Sequence, residues 1–533
     1  MPSDLSAFQT YADARAGFRW AVPRAYNIAA VCCDVWAARD PSRSCLVLAD
    51  ERGAPTPVSY GALLEGANRL ANVLTARGVG RGTRVAIQLG QRLETVLAHL
   101  AVYKCGAIAV PIAAVFGPDA IVYRVETAGA RCLITTAENA ERLGERPLDV
   151  LVVDGPPSSP QNLAALMERA SPDAPTAATG PDDPAMMIFT SGTTGQPKGA
   201  LHGHRVLLGH VPGVQMHHDL LPQAGDRLWT PADWAWAGGL LNVLLPGLAL
   251  GVPVVAQRAE RFDAEEALDW AAEAGVRNAF IPPTALRLMR QTRPSVRLRS
   301  IGSGGEQLGA ETFQWAKSRL GVTVNEFYGQ SECNLVLSSC SAWGIATPGV
   351  IGRPVPGHSV AVVDGNGHPV ADGEPGTIAV AAPDPVMFLG YWNDRAATMD
   401  KFRNGYLMTG DQGVRGPDGV SFVGRDDDVI TSAGYRIGPG EIEDCLVAHP
   451  DVALAAVVGK PDPLRTEVVA AYVVLREGAT PSDALVEAIK AHVRERLSAH
   501  EYPRVVTFVD DIPLTTTGKV IRRHFRAHAK GEA

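Results

Sequence analysis

Apolar segments that read as strands alternate with amphipathic segments that read as helices through the first four hundred residues of the chain. Residues 84–89 have the pattern of a strand, 93–106 that of a helix, and 107–111 that of the next strand. The strand pattern returns at 132–134, 150–153 and 252–255. Such alternation is typical of α/β folds, in which helices cover mostly parallel sheets. It predicts a large domain of stacked, mostly parallel sheets.

The chain of 533 residues is too long for one hydrophobic core, so more than one domain is expected. From about residue 359 short strands and Gly/Asp turns dominate, which predicts a β-rich subdomain within the large one. A charged junction near residue 425 predicts a boundary between a large N-terminal domain, 1–425, and a small α+β domain, 426–533. In the small domain the sequence predicts helices at 440–448 and 482–496 and strands at 452–458 and 468–475.

Composition excludes several functional classes. The net charge is −8 and there is no basic run, so we expect no nucleic-acid partner. The eight cysteines form no Cys-x-x-Cys pair, which favours reduced thiols and a cytoplasmic location. No apolar run reaches the ~20 residues that span a bilayer. The most apolar stretch, 238–255, is broken by prolines and is predicted to form a buried helix, a turn and a strand.

The motif at 190–199, Thr-Ser-Gly-Thr-Thr-Gly-Gln-Pro-Lys-Gly, follows the apolar run 186–189. Glycines let backbone N–H groups approach an anion, hydroxyls donate hydrogen bonds and lysine adds charge, so the motif indicates a phosphate site. It is not a Walker loop, because Pro197 precedes the lysine and Gly199 stands where that motif has a hydroxyl. An ordinary Gly/Ser/Thr turn is the alternative.

Three further clusters carry candidate chemistry. Tyr328-Gly-Gln-Ser-Glu332, predicted to lie just past the strand-like run 322–324, sets a hydroxyl beside a carboxylate, which suits a phosphate–Mg²⁺ pair. In 406–411 an aspartate follows a glycine turn, as in acids that bind ribose hydroxyls. Thr515-Thr-Thr-Gly-Lys519 places a lysine in a Gly/Thr setting near the C-terminus. Each cluster taken alone also fits a surface turn or a solvated charge.

Taken together and in this order, these motifs resemble the adenylate-forming superfamily of acyl-CoA synthetases, luciferases and peptide-synthetase adenylation domains. The resemblance covers essentially the whole chain. Residues 433–439 and 501–504 are most similar to medium-chain acyl-CoA synthetases, with acetyl-CoA synthetases next. The matching signatures are Thr190–Gly199, Gly305-Glu306, Tyr328–Glu332, Thr409–Asp411, Gly424-Arg425, Gly434–Gly438 and Thr517–Lys519.

The resemblance implies an ATP site in which the loop holds the β- and γ-phosphates, Ser331 contacts the α-phosphate and Asp411 the ribose, assisted by Arg425. Glu332 would bind Mg²⁺, and Lys519 would contact the carboxylate and the α-phosphate. The implied nucleotide-binding residues are Thr190, Ser191, Gly192, Thr193, Thr194, Gly195, Lys198, Gly305, Glu306, Glu326, Phe327, Tyr328, Ser331, Asp411, Arg425 and Lys519. Glu326, Phe327 and Tyr328 would lie beside the base. Lys198, Glu332 and Lys519 are the implied catalytic residues.

The resemblance also implies a reaction in two halves. A carboxylic acid attacks ATP to give acyl-AMP and pyrophosphate, and the thiol of coenzyme A then displaces AMP. Between the halves the small domain would rotate about Asp427, moving Lys519 out. Gly434, Tyr435 and Arg436 would then line the coenzyme A tunnel. The implied partners are small molecules, and a homodimer is left open.

The segment 230–239 corresponds to the acyl-pocket segment of acetyl-CoA synthetases. These enzymes resemble the chain at Trp236. They carry a tryptophan at the position of Gly329 and bulkier residues at the positions of Ala237 and Gly238. The predicted acyl pocket consists of Trp236, Ala237, Gly238, Ser303, Gly304 and Gly329. Glycine at 329 predicts a deeper pocket and an acid of roughly four to eight chain atoms. Accordingly, Gly329→Trp is expected to shift preference towards acetate. Trp234 is predicted to be a core residue.

One residue departs from the family pattern, since many relatives have Gly-Glu-Pro where this chain has Gly305-Glu306-Gln307. Several functions remain alternatives. The acid could be branched, aromatic or a thioether, such as 3-methylmercaptopropionate. A carrier-loading adenylation enzyme would need a buried aspartate for an amino group, and Asp233 is the nearby candidate. A nucleotide sensor without activity is disfavoured by Lys519 and Glu332.

Overall fold

The computed structural model of the chain describes residues 4–50, 52–144, 146–190, 196–257, 262–425, 428–432, 435–462, 466–497, 502–514 and 520–530. Within these ranges, the helices α1 to α17 are Tyr11–Gly17, Val35–Arg39, Tyr60–Ala76, Leu93–Lys104, Pro118–Ala128, Ala137–Leu143, Leu163–Arg169, Arg205–His217, Ala237–Gly239, Leu245–Leu250, Ala264–Glu273, Pro283–Met289, Ala310–Trp315, Arg395–Asp400, Pro439–Val447, Asp483–Arg496 and Arg522–Lys530. Short 3-10 or π turns occupy Leu5–Ala7, Ala30–Asp34, Leu240–Leu244, Ala316–Leu320 and Ser341–Trp343.

The strands β1 to β26 are Ser44–Ala49, Pro55–Ser59, Arg84–Ile87, Ile108–Pro111, Cys132–Thr135, Asp149–Val152, Pro184–Phe189, Gly199–Gly203, Leu228–Trp229, Val254–Val255, Asn278–Phe280, Ser300–Gly304, Val324–Gln330, Asn334–Ser338, Arg353–Pro354, Val360–Val363, Pro375–Ala381, Gly390–Tyr391, Phe402–Arg403, Tyr406–Gly416, Gly419–Arg425, Ile430–Ser432, Tyr435–Ile437, Val452–Asp462, Thr466–Leu475 and Val505–Phe508.

Two large sheets form the first part of the fold. One has the order β15-β14-β13-β12-β11-β9-β10-β1-β2, parallel from β1 through β13 and antiparallel at both ends. The other has the order β18-β8-β7-β4-β3-β5-β6 and is parallel except for the pairs β7–β8 and β8–β18. Buried apolar side chains of helices and strands join these elements into a continuous core. The predicted α/β class with mostly parallel sheets is confirmed.

The remaining strands form two smaller sheets. Strands β16, β17, β20, β19 and β21 make an antiparallel sheet, which confirms the predicted β-rich subdomain. In the C-terminal part, β23, β22, β25, β24 and β26 form a sheet, and α15 and α16 share a core with it. The elements predicted at 440–448, 482–496, 452–458 and 468–475 are all present within a few residues of their expected ends. The boundary between 425 and 426 stays a prediction.

Two of the motif segments differ from expectation in their local structure. The cluster at 328–332 was expected just past a strand, but β13 continues through Gln330. Asp411 was expected after a turn, but it lies inside β20, where Gly410 takes a positive φ of 77°. Ladder pairing therefore holds residues 328–330 and Asp411, whereas Ser331 and Glu332 follow directly after the end of β13.

The apolar stretch and the cysteines agree with the sequence. Residues 238–255 form buried helical turns, a left-handed Gly251 and β10. All eight cysteines are free thiols, and seven of them are buried. In the described ranges, no helix combines the length and the apolar character that crossing a membrane requires.

Candidate active site

Most of the predicted nucleotide-binding residues line one cavity of about 1600 Å³. C-terminal residues, including Asp444, Leu514 and Val520, line the same cavity. The sequence-predicted residues along its wall are Thr190, Lys198, Gly305, Glu306, Glu326, Phe327, Tyr328, Gly329, Ser331, Glu332, Asp411 and Arg425. A cavity this large, with several charged groups converging on it, is the expected form of a substrate site.

Hydrogen bonds join the two ends of the predicted phosphate loop, Thr190 and Lys198. Thr190 follows β7 and Lys198 precedes β8, and these two strands pair antiparallel. The backbone N–H of Thr190 donates to the carbonyl oxygen of Lys198 at 2.9 Å, and the N–H of Lys198 donates to Thr190 Oγ1 at 3.3 Å. The loop therefore begins and ends at one place on the cavity wall, with Lys198 Nζ 3.2 Å from Asp394 Oδ2.

Asp411 is a buried carboxylate with neighbours that orient it. It accepts a hydrogen bond from Tyr328 Oη at 2.6 Å and one from Gln330 Nε2 at 3.2 Å. Arg425 lies directly opposite on β21. Thr409 Oγ1 accepts from the N–H of Asp411 and donates to the carbonyl oxygen of Ile378. These bonds present an oriented acceptor to the cavity, which fits hydroxyl recognition.

Glu332 is a buried carboxylate with one bonded oxygen. Its side chain lines the cavity although the residue is only 7% exposed. The hydroxyl of Tyr391 donates to Oε1 in a short hydrogen bond. The bonds of the described residues leave Oε2 as the oxygen available to a ligand. Magnesium prefers carboxylate oxygens and accepts a single protein ligand, so the donor set fits Mg²⁺.

Gly305 and Glu306 both line the cavity, but only Glu306 has a side chain held by neighbouring residues. Gly305 has a φ of 97°, a conformation that favours glycine, and nothing lies near the position of its missing Cβ. Glu306 pairs with Arg287 at 2.7 Å and accepts from Thr284 Oγ1 at 2.8 Å. Both partners lie on α12, which sequence reasoning missed because they precede the motif by about twenty residues. Gln307, the departure from the family pattern, lies against Gly440 at the start of α15.

Glu326 has a perturbed protonation equilibrium. Burial and the carboxylate of Asp444 raise the pKa of Glu326 to about 7, although the backbone N–H groups of Leu308 and Gly349 favour the charged form. Asp444 lies on α15, so the C-terminal part of the chain affects the charge of Glu326 at the cavity wall. Sequence reasoning placed Glu326 beside the base but gave no signal of this shift.

The pKa of Glu326 predicts a pH-dependent stability. Its folded pKa of about 7 exceeds the ordinary value of 4.5, so the folded chain binds more protons between these pH values. The free energy of unfolding therefore falls as pH rises through this window. Glu326→Gln should remove about 1–3 kcal/mol of that fall. Urea unfolding at pH 5 and pH 8 measures it, with the exposed Glu273→Gln on α11 as control. An equal pH dependence in wild type and Glu326→Gln would contradict the assignment.

Of the six predicted acyl-pocket residues, Gly329 lines the cavity and the other five do not. Trp236, Ala237, Gly238, Ser303 and Gly304 are absent from the described lining of the cavity. Trp236 packs edge-on against Phe116 at 5.6 Å, and the hydroxyl of Ser303 donates to the carbonyl oxygen of Ile281. Trp234 is fully buried, as predicted.

Aromatic rings lie against two of the predicted acyl-pocket glycines. Phe280 lies against Gly238, and Phe327 lies against Gly304. The two rings are 5.4 Å apart, and Phe327 stacks on His217 at 4.5 Å. Phe327, which is predicted to lie beside the base, also lines the cavity. The depth of the acyl pocket stays a prediction.

Gly329 has a structural reason to be glycine. It lies at a β-bulge between β13 and β14, where a Cβ atom would overlap the backbone carbonyl of Asn334. The missing indole is thus explained by backbone contact, and a tryptophan there would disrupt the bulge before it could reach the pocket. Gly329→Trp consequently does not test chain-length preference.

Several predicted residues lie outside the described residues: Ser191, Gly192, Thr193, Thr194, Gly195, Asp427, Gly434 and Lys519. Tyr435 and Arg436 lie on β23, opposite Ser432 and Thr431 of β22. Leu514 and Val520, which flank the segment of Lys519, form a β-bridge and line the cavity.

Two family models match the chain. Residues 33–392 match the family model "AMP-binding enzyme", and residues 441–519 match "AMP-binding enzyme C-terminal domain". The chain is 31% identical to an uncharacterized acyl-CoA ligase, YtcI, of Bacillus subtilis, over 91% of this chain and 93% of that protein. It is 31% identical to the mitochondrial acyl-coenzyme A synthetase ACSM4 of Mus musculus, over 96% of this chain and 92% of that protein.

A solved structure supports the same relationship. The crystal structure of an acyl-CoA synthetase from Brucella canis aligns with a TM-score of 0.75 at 32% identity. The alignment covers 98% of this chain and 99% of that one. Sequence and structure therefore agree over both parts of the chain.

Proposed function

Because the chain belongs to the AMP-binding enzyme family and is an AMP-forming acid–CoA ligase, we propose that it activates a short- or medium-chain carboxylic acid of roughly four to eight chain atoms. The observation that supports the ligase site is the cavity in which Lys198, Glu332 and Asp411 come together. The relatives do not fix the acid, so branched, aromatic and thioether acids remain alternatives.

In the proposed first half-reaction, the chain positions two anions against each other. Asp411, held by Tyr328 and Gln330, would accept hydrogen bonds from the ribose. Lys198 and the loop from Thr190 would hold the departing pyrophosphate. Mg²⁺ bound through Glu332 would neutralise phosphate charge. A carboxylate is already ionised and nucleophilic, so catalysis is mainly alignment and charge neutralisation.

Lys519 would complete the site during adenylation. We place its ammonium between the acid and the α-phosphate, where it offsets their repulsion. Leu514 and Val520 at the cavity wall support this placement. In the second half-reaction, the C-terminal domain would rotate about Asp427, and Gly434, Tyr435 and Arg436 would line the approach of coenzyme A. Hinge motion of this kind involves few residues.

The geometry disfavours a carrier-loading enzyme for amino acids. Asp233 is the candidate for binding an amino group. Its Oδ1 accepts from the N–H of Ala235 at 2.9 Å, and its Oδ2 accepts from the N–H of Ala114 at 3.3 Å. Each oxygen therefore already accepts a backbone hydrogen bond, which gives Asp233 a structural role that requires no bound amino group.

A panel of acids tests the proposed substrate class. Straight-chain acids of two to ten carbons, a branched acid, benzoate and 3-methylmercaptopropionate are each supplied with ATP and coenzyme A. The release of AMP and of pyrophosphate is measured. We expect the highest kcat/KM within the four-to-eight-carbon series and no AMP release without coenzyme A. A maximum for benzoate or the branched acid would replace the proposed class.

Phe327 is expected to limit the length of the acid. Phe327→Ala removes a ring that lines the cavity and lies against Gly304. Room for about two more CH₂ groups, at about 0.8 kcal/mol each, should raise the preference for octanoate over butyrate by about tenfold. The ratio of kcat/KM values measures this. Phe313→Ala, in a different core cluster, controls for loss of packing. An unchanged ratio in a folded Phe327→Ala enzyme would refute the role.

A further inference from the structure

Tyr391 lies between two opposite charges of the cavity. It lies on β18, which pairs with β8 so that Tyr391 is opposite Ala200, two residues after Lys198. Lys198 Nζ is 5.3 Å from the centre of the Tyr391 ring, close enough for a cation–π contact. The hydroxyl of the same side chain donates to Glu332 Oε1. One residue thus contacts both the lysine and the carboxylate.

Asp394, three residues further on, engages the lysine from another side. Its Oδ2 is 3.2 Å from Lys198 Nζ, while its Oδ1 caps α14 by accepting from the N–H of Ala397. The short segment 391–394 therefore provides partners for both Lys198 and Glu332. Opposite charges in one cavity attract each other. Because Lys198 has Asp394 as its partner and Glu332 has Tyr391, the lysine and the carboxylate need not pair with each other.

The bond from Tyr391 matters because Glu332 is buried. A buried carboxylate needs a donor, and losing one costs more than losing an exposed hydrogen bond. The hydroxyl of Tyr391 donates to Glu332 Oε1 and supplies that donor. A fixed donor on one oxygen orients the other, as partners of metal ligands commonly do.

We propose that Tyr391 is a positioning residue for adenylation, which orients Glu332 for Mg²⁺ and holds Lys198 beside it without direct pairing. This inference rests on the proposed role of Glu332. The hydroxyl provides the orientation of the carboxylate, and the ring provides the contact with Lys198. Tyr391→Phe separates the two, because it removes only the hydroxyl.

Calorimetric titration of ATP, with and without Mg²⁺, tests the proposal without turnover. In Tyr391→Phe we expect Mg²⁺-dependent ATP affinity to fall about tenfold, while metal-free ATP affinity stays within about twofold of wild type. Tyr60→Phe is the matched control, since it removes a buried tyrosine hydroxyl bonded to the carbonyl oxygen of Leu248. It should leave both affinities unchanged. Thermal unfolding confirms that the variants fold.

Glu332→Gln distinguishes the positioning role of Tyr391 from the proposed metal role of Glu332. It should abolish the gain in affinity from Mg²⁺, and the double variant should be no weaker, since the hydroxyl acts through the carboxylate. Suppose that Glu332→Gln loses the gain in ATP affinity from Mg²⁺. The positioning role is then refuted if Tyr391→Phe keeps this gain, or if Tyr391→Phe weakens ATP binding equally with and without Mg²⁺. If Glu332→Gln keeps the gain, the proposed metal role of Glu332 fails and the inference fails with it.

Discussion

Lys519→Ala is expected to reduce acyl-AMP formation by about 100- to 1000-fold or more, while thioester formation from supplied acyl-AMP stays within a few-fold of wild type. The reason is electrostatic. A carboxylate must approach the α-phosphate, and an ammonium between them offsets a repulsion that develops only in the first half-reaction. In the proposed site, Glu332 and Lys198 would act on the phosphates and would not replace a charge at the acid itself.

Two assays separate the half-reactions of this variant. Pyrophosphate release in the presence of the acid measures adenylation, and AMP release from chemically prepared acyl-AMP with coenzyme A measures thioester formation. Lys460→Ala removes an exposed lysine of β24 in the same part of the chain and should leave both rates unchanged. Equal losses in the two assays for Lys519→Ala would refute the alternation of domains.

Asp411→Asn is expected to weaken ATP binding by about 10- to 100-fold, the loss that follows from one or two hydrogen bonds to a charged group. The carboxylate accepts from Tyr328 and Gln330 and has Arg425 opposite it. An amide keeps the shape but replaces one acceptor with a donor, which then faces other donors.

Deoxynucleotides show whether the loss concerns the ribose. Wild type should bind 2′-deoxy-ATP or 3′-deoxy-ATP more weakly than ATP, and Asp411→Asn should bind all three alike. Asp384→Asn is a matched control, because Asp384 is equally buried but holds His358 at 2.7 Å. If Asp411→Asn still discriminates against the deoxynucleotides as wild type does, Asp411 does not bind the ribose.

The elements of regular structure could be predicted because their signals are local. Apolar spacing along 93–106 predicted α4, and the strand runs around it predicted β3 and β4. The ends of β13 and β20 could not be predicted in this way. These strands extend through polar motif residues because neighbouring strands supply hydrogen bonds, and that support comes from distant parts of the chain.

The site residues divide in the same way. Motif residues such as Lys198, Glu332 and Asp411 could be predicted because each motif carries a distinctive set of side chains, and the structure gathers them in one cavity. Tyr391 and Arg287 could not, since each reaches its partner from another element. Phe327 fills its space only because Phe280 and His217 pack against it, which no local pattern indicates.

The bulge at Gly329 has a consequence for how this scaffold can diversify. In this chain a side chain at 329 collides with the backbone at Asn334, so a change there acts on folding before it can act on substrate choice. In the proposed acid site, neighbouring side chains that can change size, chiefly Phe327 and Phe280, are expected to set the choice of acid. A saturation library should accept few residues at 329 under any acid, while the residues enriched at 327 should differ with the acid used for selection.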